Sequence, residues 1–288
     1  MNKKRFASKA ELLDFLDDKA EWLRKEVVRL SAIAGGSHFG GAMSMADVMV
    51  ALLYYGLNLK PSDAEWDERD RFVLSKGHGA IAYCPILADL GFFPADWLEG
   101  FNRLDSPFGM HPDMKKIPGC EMSTGSLGHG LSVSVGMALA GRLEGAKWRI
   151  FTLMGDGETN EGMVWEAAQS ASHYHLGNIN AFIDRNGLSM DGPTEEIMRL
   201  EPMRQRWEAF GWRVYDIDGH DMEAIVDVID KLPQATEQKP TLVIARTVKG
   251  KGVDFMENNP IWHYSGLDRQ KSLEAVAMIE KNRPPRRA

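Results

Sequence analysis

Two side chains that carry oxygen ligands, Asp156 and Asn186, each follow a short apolar segment of the sequence. A helical pattern over residues 163–175 separates them, so this stretch predicts one βαβ unit with neighbouring parallel strands. Because the carboxyl ends of such strands meet at one edge of a sheet, both side chains should emerge there. Magnesium accepts carboxylate and amide oxygens, commonly together with diphosphate or water. Turn residues beside glycine have the same composition, so the pair alone does not separate a metal site from a turn.

Several loops next to apolar segments are rich in glycine. Segments 75–79, 155–158, 185–188 and 246–252 follow apparent strands, and segment 123–130 opens a helix of small residues. Glycine lets a backbone approach a ligand closely, and a turn that enters a helix offers free N–H groups to a phosphate. Segment 77–82 matches a dinucleotide fingerprint, but Asp96, the acidic residue near the required offset, stands close to Pro94 in a turn. The loops therefore suit a phosphate-bearing ligand and fit neither a nicotinamide nor a P-loop site.

The elements that must position these loops alternate between strands and helices. The sequence predicts strands at 71–74, 149–154, 179–183, 212–217 and 241–245, and helices at 131–144, 163–175, 203–210 and 222–232. An N-terminal helix is expected to begin at a capping box opened by Ser8 and to end at Gly35, and Ser44 is expected to cap the next helix. This alternation predicts an α/β fold, a parallel twisted sheet with helices on both faces. No linker or repeat interrupts the chain, so residues 1–288 are predicted to form a single domain with an N-terminal helix and a short basic tail.

Composition and charge exclude several classes of protein. Hydrophobic residues make up 44% and charged residues 26% of the 288 residues, the balance of a globular protein. The net charge of -7 argues against a broad nucleic-acid surface, which needs clustered positive charge. Cys84 and Cys120 do not make a secreted disulfide framework, and no apolar run reaches the roughly 18 residues that span a bilayer. We therefore expect a cytoplasmic protein without nucleic-acid or membrane partners.

Five motifs, in order along the chain, resemble those of the transketolase family of thiamine-diphosphate-dependent enzymes. They are the strand and histidine loop at 70–79, the glycine loop at 125–130, Gly155-Asp156-Gly157, the metal-ligand segment at 184–189, and Asp218-Gly-His-Asp221. The resemblance runs from about His38 to His263, which is most of the chain. It implies the thiamine-diphosphate-binding fold and binding of thiamine diphosphate with Mg²⁺, or with Ca²⁺ or Mn²⁺ in its place.

The resemblance also implies which residues form the site. The implied metal ligands are Asp156, Asn186 and the carbonyl of Leu188. The implied cofactor-binding residues are His78, Gly125, Leu127, Gly157, Asn186 and His263. The implied catalytic residues are His38, His78, His111 and His263, of which His111 is similar to the histidine that faces the sugar's terminal hydroxyl. The implied reaction transfers a two-carbon ketol unit from a ketose or ketose phosphate to an aldose, and histidines suit the proton exchange that it needs.

Other histidines have ordinary structural explanations. His173 and His175 lie two residues apart, so a helix directs them to different sides and they make a poor chelate. His220 is expected in a turn, with Asp221 capping the helix that follows. We expect none of these three histidines to take part in the reaction.

Five further positions stay open at this point. Lys249 and Lys251 suit either a phosphate or solvent. Glu161 resembles the family's interface carboxylate near the cofactor, and it equally suits the first turn of a helix. Phe39 and His129 stand where the family usually has proline and glutamine, which leaves the sugar pocket undetermined.

Chain length gives a further expectation about partners. A complete transketolase continues into a second thiamine-related domain, which supplies the glutamate that activates the cofactor. This chain stops after the diphosphate half, so it resembles the N-terminal subunit of a split transketolase that works with a C-terminal subunit, as two copies of each.

Two other functions are considered. The alpha subunit of a thiamine-dependent 2-oxoacid decarboxylating complex shares the Gly155-Asp156-Gly157 motif. It lacks the His78 loop, however, and it tends to have a second asparagine in the segment that corresponds to residues 184–187. A cofactor-binding subunit without turnover is disfavoured because the candidate histidines and both side-chain metal ligands are all present.

Overall fold

Five parallel strands form the sheet that positions the glycine loops. In a computed structural model that describes residues 6–287, the strands are β1 (Arg71–Leu74), β2 (Ile150–Gly155), β3 (Ile179–Arg185), β4 (Arg213–Asp218) and β5 (Thr241–Arg246). Their order across the sheet is β1-β2-β3-β5-β4. The predicted parallel α/β sheet is confirmed. Residues 1–5 and 288 of the predicted domain lie outside the described part.

Helices cover both faces of this sheet, as the sequence predicts. They are α1 (Lys9–Ala34), α2 (Phe39–Ser44), α3 (Ala46–Ala51), α4 (Ala80–Leu90), α5 (His129–Glu144), α6 (Gly162–His173), α7 (Thr194–Ile197), α8 (Met203–Ala209), α9 (Met222–Asp230) and α10 (Arg269–Lys281). Residues of α1, α4 and α9 share one core with Phe182 of the central strand β3, whereas α5, α6 and α8 share another with its neighbour Ile183. Alternate side chains of a strand thus enter opposite cores. Within residues 6–287, no helix combines the length and the apolar character needed to cross a membrane.

Capping explains where α1 begins and ends. The Ser8 hydroxyl accepts a hydrogen bond from the Glu11 amide at 3.1 Å, which satisfies one of the free N–H groups of the first turn. At the other end Gly35 has a φ of 73°, the left-handed conformation that stops a helix and that glycine adopts without a steric penalty. Both predicted ends of the N-terminal helix are confirmed.

The prediction that Ser44 caps a helix is wrong. Ser44 is the last residue of α2, and α3 begins at Ala46 without a side-chain cap. The Ser44 hydroxyl instead donates to Asp184 Oδ2 at 2.6 Å. Because Asp184 is buried, its carboxylate needs donors from the protein, and this requirement takes the Ser44 hydroxyl away from the helix end.

The predicted βαβ unit places Asp156 and Asn186 at one edge of the sheet. Strand β2 pairs directly with β3, and Gly155 is in register with Asp184. Helix α6 makes the crossover between the two strands. The residues that follow each strand therefore begin side by side, which is the arrangement that a shared site requires.

A core substitution tests this two-sided packing. Phe182 lies fully buried in β3, so Phe182→Ala should lower the free energy of unfolding by about 3–5 kcal/mol, because it leaves a cavity that the strand cannot close. Leu143→Ala is the matched control, since Leu143 of α5 is 88% exposed and should change stability by less than about 0.5 kcal/mol. Urea unfolding measures both variants. Equal losses would contradict the assignment of Phe182 to the core.

Candidate active site

A cavity of about 400 Å³ opens where the strands end, a volume typical of small-molecule sites. Every site residue predicted from the sequence lines this cavity: His38, His78, His111, Gly125, Leu127, Asp156, Gly157, Asn186, Leu188 and His263. The lining also contains residues that sequence reasoning did not assign, among them Lys76, Glu158 and Lys249. The structure thus brings together residues from eight separate segments of the chain.

The Asp156 carboxylate is held in one orientation by its neighbours. Its Oδ1 accepts from the Gly157 amide at 2.7 Å, and its Oδ2 accepts from the Gly187 amide at 2.7 Å and from Arg185 Nη1 at 3.0 Å. Burial, together with the nearby charge of Asp184, raises the pKa of the Asp156 carboxyl despite the ion pair with Arg185. A cation in the cavity would therefore favour the ionised form of this group.

Asp184 is a buried carboxylate that contacts two residues of the cavity lining, Lys76 and Asn186. Its carboxylate accepts from Lys76 Nζ at 2.6 Å and from Asn186 Nδ2 at 3.1 Å, in addition to the Ser44 hydroxyl. Although burial opposes ionisation, the Lys76 ammonium and these hydrogen bonds hold the pKa of Asp184 below its usual value. Asn186 Nδ2 donates to Asp184, while the Asn186 carbonyl oxygen accepts from the Leu188 amide at 3.2 Å and keeps a second lone pair for another partner.

Lys249 lies in the cavity wall and not in solvent. It is 2% exposed, and its Nζ contacts the Leu188 carbonyl at 3.1 Å, the Ser189 carbonyl at 2.9 Å and His263 Nδ1 at 2.9 Å. Burial, with a contribution from the charge of Lys76, lowers the pKa of Lys249 to about 8. Of the two lysines left open by the sequence, Lys249 is thus at the site, whereas Lys251 is half-buried beside Glu257 at 3.7 Å.

The four predicted histidines form one cluster. The ring of His38 lies 5.0 Å from His78, 5.4 Å from His263 and 6.5 Å from His111, measured between ring centres. His38 and His78 come from the turns that start α2 and α4, and His263 comes from a short 3-10 turn over Pro260–His263. An antiparallel pair of backbone hydrogen bonds between Ser37 and Ser265 joins two of these segments.

All four histidines are shifted towards the neutral form. Burial and the neighbouring positive charges lower the pKa of His38 to about 4 and that of His263 to about 3. Burial lowers the pKa values of His78 and His111 as well. Among residues 6–287, the buried Nδ1 of His38 has no hydrogen-bond partner, so this polar atom is available to a ligand.

Glu158, which sequence reasoning missed, joins three of the glycine loops. Its carboxylate accepts from the Gly128 amide and the Gly155 amide, each at 3.0 Å, and from the Ser75 hydroxyl. Burial raises the pKa of Glu158, although these donors oppose the effect. The sequence did contain one indication of this role. Glu158 directly follows Gly155-Asp156-Gly157, in the turn that leaves β2 at the edge of the sheet.

Two of the loops touch backbone to backbone. A Cβ on Gly77 would lie 2.6 Å from the Thr124 carbonyl carbon and 2.7 Å from the Gly125 amide nitrogen. Such contacts are impossible for any residue with a side chain, so Gly77 is needed for the close approach of the two loops.

The departures from the family pattern fall outside the cluster of histidines. Phe39 is fully buried as the first residue of α2 and packs edge-on against Trp262. Proline is also favoured at the first position of a helix, so the family's usual proline and the Phe39 of this chain both suit this position. His129 begins α5 and is exposed, with Nδ1 at 3.1 Å from the Leu127 carbonyl.

Glu161 and the histidines outside the cluster do not line the cavity. Glu161 is exposed and precedes α6 without a side-chain capping bond, and His173 and His175 are exposed near the end of that helix. Asp221 caps α9 by accepting from two backbone amides, as expected. His220 is half-buried and its ring makes two hydrogen bonds.

Comparison with known proteins agrees with the geometry of the cavity. Residues 19–278 match the family model described as transketolase, thiamine diphosphate binding domain. The chain is 41% identical to an apulose-4-phosphate transketolase subunit of Actinobacillus succinogenes, over 87% of this chain and 91% of the relative. It is 40% identical to a 6-deoxy-6-sulfo-D-fructose transketolase subunit, SqwG, of a Clostridium species, over 92% of this chain and 96% of the relative.

A solved structure shares the fold. The transketolase from Leishmania mexicana superposes with a TM-score of 0.86 over 92% of this chain, at 27% sequence identity. This chain spans 41% of the length of that protein.

Replacing Glu158 tests its role in joining the loops. The Glu158 carboxylate accepts hydrogen bonds from all three of its partners. Glu158→Gln keeps the size of the side chain but replaces one oxygen by an NH₂ group, which then points at a backbone N–H and cannot accept from it. We expect a loss of about 1–3 kcal/mol in the free energy of unfolding, the usual cost of an unsatisfied buried group. Glu161→Gln, three residues away and exposed, is the control and should change stability by less than about 0.5 kcal/mol. If both variants unfold at the wild-type urea concentration, Glu158 does not hold the loops.

Proposed function

The chain belongs to the transketolase family, and we propose that it acts as the thiamine-diphosphate-binding subunit of a two-chain transketolase. The observation that carries this proposal is the convergence of Asp156, Asn186 and Leu188 with four histidines in one cavity. The reaction is transfer of a two-carbon ketol unit from a ketose or ketose phosphate to an aldose. Relatives of similar length, named as transketolase subunits for apulose 4-phosphate and for 6-deoxy-6-sulfo-D-fructose, support the assignment.

The donor set fits a magnesium–diphosphate unit. Within residues 6–287, no three His, Cys, Asp or Glu side chains form a metal site on their own. The Asp156 carboxylate, the Asn186 amide oxygen and the Leu188 carbonyl would therefore hold the ion together with oxygens of the ligand, as magnesium commonly requires. The Lys249 ammonium, which contacts the Leu188 carbonyl, places a second positive charge beside the same position.

The protein's own groups suit the sugar chemistry. Thiamine diphosphate supplies the carbon nucleophile when bound. Because Lys249 donates to His263 Nδ1, the proton of this neutral ring lies on Nε2, where it can donate to a sugar hydroxyl or oxyanion. The free Nδ1 of His38 can accept a proton from a hydroxyl. The two rings that carry this donor and this acceptor have their centres 5.4 Å apart.

We propose that a separate C-terminal subunit completes the site, as two copies of each chain. Relatives named as transketolase subunits match this chain over most of their own length, which supports a divided enzyme. Large apolar side chains near the cavity are exposed and would be covered by the partner: Met190, Ile197, Met198, Ile261 and Tyr264. We further propose a single domain over residues 1–288 and a cytoplasmic location, which the two free thiols Cys84 and Cys120 support.

Cofactor titration tests the metal site. Loss of a metal ligand should weaken binding of thiamine diphosphate in magnesium buffer by roughly 10- to 100-fold or more, for both Asp156→Ala and Asn186→Ala. Asp156→Ala should be the weaker binder, because its carboxylate offsets the charge of the ion directly. Asp96→Ala, at an exposed aspartate in the short 3-10 helix Ala95–Gly100, is the control and should bind as the wild type does. Unchanged binding in both site variants would refute the assignment.

Reconstitution tests the division into subunits. We expect no ketol transfer from the purified chain alone and robust transfer after addition of the neighbouring transketolase subunit, with ketose phosphates, apulose 4-phosphate and 6-deoxy-6-sulfofructose as donors. Asp156→Ala in the reconstituted pair should abolish turnover, whereas a cofactor-binding subunit without turnover would show no activity at any stage. Pyruvate decarboxylation by the pair would instead identify a 2-oxoacid decarboxylating complex. Full activity of this chain by itself would overturn the two-chain proposal.

A further inference from the structure

The turn after β4 carries a histidine that the proposed reaction does not use. His220 lies between α3 and the loop that follows β5. Its Nδ1 is 2.7 Å from Asp47 Oδ2, and the backbone N–H of Val248 donates to its Nε2 at 2.8 Å. The ring therefore links a buried carboxylate to the loop that enters the cavity.

The direction of these hydrogen bonds fixes the tautomer of His220. A backbone amide can only donate, so Nε2 must be unprotonated, and the ring proton lies on Nδ1 and is donated to Asp47. Asp47 is held in turn by Arg24 of α1, whose Nη1 donates to Asp47 Oδ1 at 3.0 Å. Arg24 and Asp47 are both buried, so this carboxylate has a fixed orientation.

Val248 is the point at which this chain of contacts reaches the site. The amides of Thr247 and Gly250 donate to the backbone carbonyls of Arg185 and Gly40, each at 3.1 Å, whereas the Val248 amide donates to a side chain. The next residue, Lys249, makes the contacts to Leu188 and Ser189 described above.

A glycine permits the approach of the two segments. A Cβ on Gly219 would lie 2.5 Å from Thr247 Cγ2, so the turn before His220 packs directly on the loop. His220 is thus placed within reach of Val248 by the backbone of its own turn.

We propose that His220 is a positioning residue that fixes the loop 247–250 and thereby holds Lys249 in the cavity. It acts through a series of hydrogen bonds that runs from Arg24 through Asp47 and His220 to Val248, and it touches no ligand itself. Without His220, part of the binding free energy would be used to order the loop when the ligand binds. The ligand would therefore bind more weakly. The inference rests on the proposed function only in taking thiamine diphosphate as the ligand.

The tautomer and the anchoring of the loop can be measured without any cofactor. In ¹⁵N-histidine-labelled full-length protein, His220 should show a protonated Nδ1 and an unprotonated Nε2, and hydrogen exchange of the Val248 amide should quicken in His220→Ala. A protonated Nε2, or an unchanged exchange rate at Val248, would overturn the proposal. Because the tautomer is read in the wild-type chain, this result does not depend on whether a variant folds.

Cofactor binding separates positioning from general stability. In the pair reconstituted with the partner subunit, His220→Ala should raise the Kd for thiamine diphosphate in magnesium buffer by roughly 5- to 100-fold, as expected for a buried donor left without its acceptor. His220→Gln keeps an acceptor near Val248, so its Kd should lie closer to the wild-type value. Asp221→Ala is the matched control. It removes the N-cap of α9 at the residue that follows His220, so it should lower stability without a change in Kd.

The outcomes distinguish this inference from the proposed function. If the wild-type chain reconstituted with its partner subunit binds no thiamine diphosphate although the tautomer and the exchange at Val248 are as expected, the proposed function fails and the positioning role stands. If the wild type binds and His220→Ala binds equally well, the positioning role fails and the proposed function stands.

Discussion

The buried carboxylate of Asp184 is the contact on which the rest of the cavity depends. It receives hydrogen bonds from Ser44, Lys76, Asn186 and Thr247, which belong to four different segments of the chain. A carboxylate without water is costly unless its partners are all in place, so these segments are ordered together. The end of the central strand thus fixes the loop after β1, the loop after β5 and the end of α2, and the fold and the site become a single arrangement.

The sequence was sufficient for residues that follow a clear strand. All five strands were predicted within two residues of their observed bounds, because short apolar runs in a two-sided sheet leave little choice, and Asp156 and Asn186 lie at strand ends for that reason. Ser44 and Lys76 could not be placed, since their partner Asp184 lies 140 and 108 residues away. A serine before an apolar stretch resembles a helix cap until the distant carboxylate is known. The family resemblance supplied the histidine cluster, which periodicity alone does not reveal.

The electrostatics of the cavity follow from its burial. Lys76 and Lys249 lie close to the imidazole rings, and their positive charge adds to the effect of burial in keeping those rings neutral. A neutral ring can donate at one nitrogen and accept at the other, which suits the recognition of hydroxyl groups. The two ammonium groups meanwhile offset the charge of an anionic ligand. The same lysines therefore influence both the binding of phosphate oxygens and the protonation of the groups beside them.

The order of strands in the sheet also has a consequence for how the protein is made. Strand β1 pairs with β2, whose residues come almost eighty positions later, and the central strand β3 pairs with β5, which is distant in sequence. Such long-range pairing slows folding, because loop-closure entropy is lost before the contacts form. Lys249 and His263 leave the ribosome after nearly all of the sheet has been synthesised. The cavity therefore stays incomplete until His263, the last residue of its lining along the chain, has left the ribosome.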